Sequence, residues 1–117
     1  MTVKTQLRTL LLTVCPRVSI GFAPVATARP YITFQRIGGN VINPLENSIP
    51  NKKIGTFQVN VWADNASDAE ALIEAVEVAM RTATVFQARP TAEPADDFDA
   101  DMIRFCEIQD FTVISDR

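Results

Sequence analysis

The junction at Thr56–Arg81 constrains the fold more than any other stretch of this sequence. In TFQVNVWA, Phe57, Val59, Val61 and Ala63 alternate with Thr56, Gln58, Asn60 and Trp62, the period of a strand with one core face and one polar face. Asp64-Asn65-Ala66 leads directly into Ser67-Asp68-Ala69-Glu70, whose spacing predicts a capping box with Ser67 accepting from the backbone at Glu70. The helix predicted over 67–81 turns Ala69, Leu72, Ile73, Val76 and Met80 to one side. Glu70, Glu74, Glu77 and Arg81 lie on the other, Glu77 and Arg81 as an i,i+4 pair. A strand and a helix that are each apolar on one side bury those sides against each other, so the chain requires a sheet covered by helices.

The remaining segments fit that requirement. Thr2 can cap a first helix in which Val3, Leu7, Leu10, Leu11 and Val14 share a face, and Pro16 stops it. Val18, Ile20 and Phe22 then alternate as a short half-buried strand before Pro24, and Tyr31–Ile37 reads as a second strand ending at Gly38-Gly39-Asn40. Residues 38–55 contain four Asn, three Gly and two Pro and read as a long loop. A short strand is expected within 84–89, and the Pro- and Asp-rich residues 90–101 read as a second loop. Residues 102–115 suit one bent strand or two, with Phe105, Ile108, Phe111 and Val113 in the core. The order α-β-β-β-α-β-β gives an α+β two-layer sandwich: a mainly antiparallel sheet of about four to five strands, with two helices packed on one face. At 117 residues and 47% apolar content, one domain spanning 1–117 can bury a sufficient core without a metal or disulfide staple.

Little in the sequence can carry catalysis. Histidine is absent, which removes the Ser-His-Asp and Cys-His arrangements and the usual neutral-pH proton shuttle. Phosphate-binding loops and nucleophile elbows are missing as well, so no enzyme, cofactor or metal is expected. Asp97, Asp99 and Asp101 imitate the start of a calcium loop, but Met102 stands where glycine is required and Ile108 where a bidentate Glu is required. Cys15 and Cys106 belong to no CxxC spacing and read as small buried hydrophobes in a reducing compartment. Without a long apolar run, neither a membrane span nor export is expected. An isoelectric point near 4.8 with one Lys-Lys pair argues against sequence-specific nucleic-acid binding.

Charge is unevenly divided along the chain. Residues 1–62 carry seven bases against one acid, a net +6, whereas residues 63–117 carry four bases against thirteen acids, a net −9. Such a division suits head-to-tail association of identical copies. Trp62, the sole tryptophan, falls on the polar side of its strand beside Gln58 and Asn60. Two explanations stand open for it: contact with another part of the chain, or an interface anchor.

These pieces together resemble the tail terminator, or tail-completion, proteins of long-tailed, non-contractile bacteriophages. The resemblance rests on the N-terminal helix, Arg29-Pro30-Tyr31-Ile32-Thr33-Phe34, Thr56–Ala63 running into the Ala/Glu-rich helix 67–81, and the final Asp110-Phe111-Thr112-Val113 strand. It implies a structural subunit that forms a ring, typically a hexamer, on the tail tube. Such a ring ends tube polymerisation and presents the head-joining surface. The implied partners are further copies of the chain, the major tail tube protein and a head-connector or neck protein, and the implied locations are the host cytoplasm during assembly and the virion tail. Another neck or minor tail component, or a monomeric binding module, is the alternative. From the strand faces, Tyr31, Thr33, Gln35, Gln58, Asn60 and Trp62 are expected to form a self-association surface. Asp96, Asp97, Asp99 and Asp101, with Lys52 and Lys53, are expected on loops facing the lumen or a partner.

Overall fold

A computed structural model describes residues 2–24, 26–43, 45 and 49–117. Among the described residues two helices, α1 (Val3–Leu11) and α2 (Ala66–Thr82), accompany six strands: β1 (Val18–Ile20), β2 (Tyr31–Gly38), β3 (Lys52–Ala63), β4 (Gln87–Pro90), β5 (Ala95–Asp99) and β6 (Arg104–Asp116). The sheet runs β1-β2-β3-β6-β4, and β5 joins the same edge of β6 as β4. The α+β sandwich is as expected, with one strand more than the sequence suggested.

Helix formation follows the amphipathic pattern. Thr2 caps α1, its hydroxyl accepting from the Thr5 amide, and Val3, Leu7 and Leu11 are buried. The cap of α2 is Asn65 rather than Ser67: Asn65 accepts from the Asp68 amide at 2.8 Å and its own amide group donates to the Asp68 carboxylate at 2.9 Å. Asn and Ser are comparable caps, so the residue with extended backbone geometry takes the role. Ala69, Ile73, Val76 and Met80 of α2 join Leu7 and Leu11 of α1 over Ile32, Phe34, Phe57, Val59, Val61, Phe111 and Val113. Both helices therefore lie on one face.

Four strand expectations need correction. β1 pairs with β2 in parallel, Val18 opposite Ile32, because the return segment doubles back and is held by Arg17, whose Nε donates to the Ala28 and Pro30 carbonyls. Only Val18 of β1 is buried; Ile20 and Phe22 are exposed, since three residues of edge strand reach no further over the core. β3 begins at Lys52 rather than Thr56 and pairs with β6 without interruption from Lys52–Asp116 to Ala63–Phe105, which shortens the loop expected at 38–55. Within the loop expected at 90–101, residues 95–99 form β5, antiparallel to β6 from Ala95–Ile108 to Asp99–Arg104. Its sequence ADDFD has poor strand propensity, and the pairing edge of the 13-residue β6 imposes the conformation.

Gly39 lies tight against β3, where an added Cβ would stand 2.2 Å from the Ile54 carbonyl oxygen. Backbone cannot yield as a side-chain end can, so Gly39→Ala is expected to cost about 1–3 kcal/mol, measurable as a lower urea midpoint at unchanged m.

Candidate functional site

Both helices lie on one face, so among the described residues no helix covers the other face of the sheet, and strand alternation decides what it carries. Tyr31 pairs with Trp62, Thr33 with Asn60 and Gln35 with Gln58. All six residues expected to form a surface therefore sit in three adjacent cross-strand pairs. The Tyr31 and Trp62 rings stack at 6.0 Å, and the Arg104 guanidinium lies 4.4 Å over the Trp62 ring. That guanidinium donates to the Tyr31 hydroxyl at 2.5 Å and pairs with the Asp99 carboxylate at 2.8 Å. Arg104 thereby holds the Asp99 carboxyl below its ordinary range, helped by the Met102 and Asp101 amides of the following turn. Thr33 Oγ1 accepts from Asn60 and from the Trp62 indole, both at 3.4 Å, and Gln35 donates to Gln58 at 3.3 Å. Trp62 is thus engaged by its own chain, while Tyr31 and Thr33, at 6% and 5% exposed, form the base of the surface rather than its rim.

A second feature lies on the helix side. Between α2 and the β5–β6 pair runs a groove of about 980 Å³. Glu70, Glu74 and Glu77 line it from α2, Glu93, Asp96 and Asp97 from the β4–β5 side, and Glu107 from β6; no lysine or arginine does. Its apolar part is Ile73, Val78, Phe98 and Phe105, with Phe98 against Phe105 at 4.7 Å. Alternation along β6 places Glu107 opposite Val61 and Gln109 opposite Val59, so two polar side chains occupy positions on the core side. Gln109 is 2% exposed and donates to Glu77 at 2.8 Å and to the Ala92 carbonyl at 3.0 Å. The Gln109 hydrogen bond, with Arg81, holds the Glu77 carboxyl below its ordinary range. Glu107, at 8% exposed, has the opposite fate: burial, then the neighbouring Asp96 and Glu70 carboxylates, push its pKa up to about 7. Burial, with Asp97 and Glu107 nearby, likewise pushes the Cys106 thiol up to about 12, which keeps it protonated and unreactive at neutral pH.

The residues expected on loops do not come together. Asp96 pairs with Glu107 and Asp97 with Cys106, and both line the groove, whereas Asp99 pairs with Arg104 and does not. Strand formation by residues 95–99 is what divides them. Asp101 lies in the turn beyond β5, and Lys52 and Lys53 pair with Asp116 and Ser115 at the far end of β6, Lys52 in an ion pair with Asp116.

A sequence profile described as tail completion protein gp17 matches residues 3–112. The chain belongs to that family. It is a structural protein of a phage tail, which implies association with other tail or neck proteins. The fold has solved counterparts. A chain from the virion of a native gene transfer agent particle is 15% identical, with 98% of this chain and 92% of that one covered at a TM-score of 0.62. A second solved chain is 13% identical, with 97% and 89% covered at a TM-score of 0.56. No curated protein sequence matches the chain.

Sequence reasoning missed two residues that organise this tail completion protein. Arg104 is the hub of the Tyr31–Trp62 cluster, and Glu107 is the most buried acid of the groove. For Glu107 the available signal is a polar residue at an otherwise apolar alternate position, since Glu107 and Gln109 share the parity of Phe105, Phe111 and Val113; Arg104, on the other parity, has no such signal.

Proposed function

We propose that this tail completion protein caps the tail tube as a ring of six identical subunits, ending tube polymerisation and presenting the surface that joins the head. Assembly takes place in the host cytoplasm, and the finished ring stays in the virion tail. The uncovered sheet face with Tyr31, Thr33, Gln35, Gln58, Asn60 and Trp62 carries the subunit contacts. The observation that carries this reading, beside family membership, is the in-register polar and aromatic face left without a helix over it. Its hydrogen-bonded base is fixed by Thr33 and Arg104, so little side-chain entropy remains to be lost on association.

Deletion of the gene is expected to give tails of uncontrolled length that do not join heads. Complementation by Gln58→Arg, which sets a charge on the contact face, should fail while the purified variant melts within about 2 °C of the parent, as a surface substitution does. Normal tail length in the deletion strain, seen by electron microscopy, refutes the terminating role. Full complementation by Gln58→Arg refutes the assignment of this face.

A further inference from the structure

The acidic groove is unbalanced within its own subunit. Glu107 lines it nine-tenths buried, its carboxyl hydrogen-bonded to that of Asp96 with Glu70 nearby, so among the described residues its neighbours there are acids rather than bases. A buried carboxylate without a cation is costly, and a partner that supplies one gains correspondingly. The subunit's own nearest bases are already committed, and the rest lie further away. Arg104 is committed to Asp99 and Tyr31, and Arg81 to Glu77. Lys53 stands opposite Ser115, eight residues along β6 from Glu107, or about 27 Å at ~3.4 Å per residue, beyond the reach of any side chain.

That far end has the complementary character. Arg36 and Lys53 line one shallow hollow there, and Lys52 is adjacent. The segment between β2 and β3 leaves from the same end, since Gly38 pairs with Thr56, and it exposes Val41, Ile42, Leu45 and Ile49. Exposed apolar side chains beside bases, of which Lys52 is paired with the exposed Asp116, match a groove whose apolar part includes the half-exposed Phe98 and Val78 and whose lining is acidic.

We infer that the α2–β5–β6 groove receives the basic root and apolar residues of the β2–β3 segment from a second copy of this chain. The two surfaces lie at different places on the subunit, so the contact is heterologous and propagates head to tail, as closure of a ring requires. This rests on the ring proposed above and adds a second contact to the one on the uncovered face.

A charge exchange tests it by complementation of the deletion strain. Lys52→Glu with Lys53→Glu, and separately Glu70→Lys with Glu74→Lys, are each expected to lower the fraction of tails of normal length by about tenfold or more, through like-charge contact. The four substitutions combined in one chain should restore it. Thermal melting of each purified variant confirms that the subunit still folds. Two pairs that each complement fully, or a combination no better than the pairs alone, overturn the inference. Loss confined to the groove pair, without rescue, overturns the second copy as occupant and points to a basic tail or neck partner. A deletion strain with normal tails instead overturns the ring itself, so the two failures are distinguishable.

Discussion

Phe111→Ala is expected to destabilise the subunit by about 3–5 kcal/mol, the cost of deleting a large buried aromatic. Phe111 is fully buried on β6 and pairs across the sheet with Phe57, whose ring stands 6.4 Å from that of Phe34 on β2. The three rings thus link consecutive strands at the centre of the sheet. The alanine leaves a cavity that Phe57 and Phe34, themselves fixed on central strands, fill poorly. Against a total stability of roughly 5–15 kcal/mol, such a loss takes a large share, and at about 4 °C per kcal/mol it lowers Tm by about 12–20 °C. Phe98→Ala is the control: Phe98 is 48% exposed on an edge strand and should cost less than about 1.5 kcal/mol. Equal losses in the two variants, measured by urea unfolding, would contradict the placement of the core.

The core was legible because periodicity is local. Phe57, Val59, Val61 and Ala63 fall on the buried side as their alternation requires, and Ala69, Ile73, Val76 and Met80 as the helical spacing requires. The uncovered face was legible for the same reason, since a strand of fixed alternation has a second side, which gave Gln58, Asn60 and Trp62 their common direction. What could not be read were features decided by pairing between distant segments. β5 is a strand because β6 offers an edge, not because ADDFD favours one. Its formation commits Asp99 to Arg104, away from Asp96 and Asp97, which line the groove. Arg104 and Glu107 acquire their roles from Trp62, Tyr31, Asp96 and Glu70, residues far away in sequence or on another element.

Glu107→Gln is expected to remove a pH dependence that the parent shows near neutrality. The folded-state pKa of Glu107 is raised from 4.5 to about 7 by burial, by Asp96 on β5 and by Glu70 on α2, with Glu74 and Glu93 lining the same groove. Between those two values the folded subunit holds a proton that the unfolded chain has released. Stability therefore falls as pH rises from about 4.5 to about 7 and levels off above. Glu77 and Asp99 act in the opposite sense, because their pKa values are lowered in the fold. Their contribution is present above the ordinary carboxylate range and is lost as pH falls below it, which leaves the interval above pH 4.5 to Glu107. No histidine titrates there. Glutamine keeps the shape and a donor toward Asp96 and Glu70 without the charge, so the variant should be more stable than the parent at pH 7.5 and close to it at pH 4.5. Urea midpoints collected across that interval decide the matter: parallel profiles for parent and variant would show that Glu107 ionises in the folded subunit as freely as in the unfolded chain, and that the groove does not hold its charge in waiting for a cation.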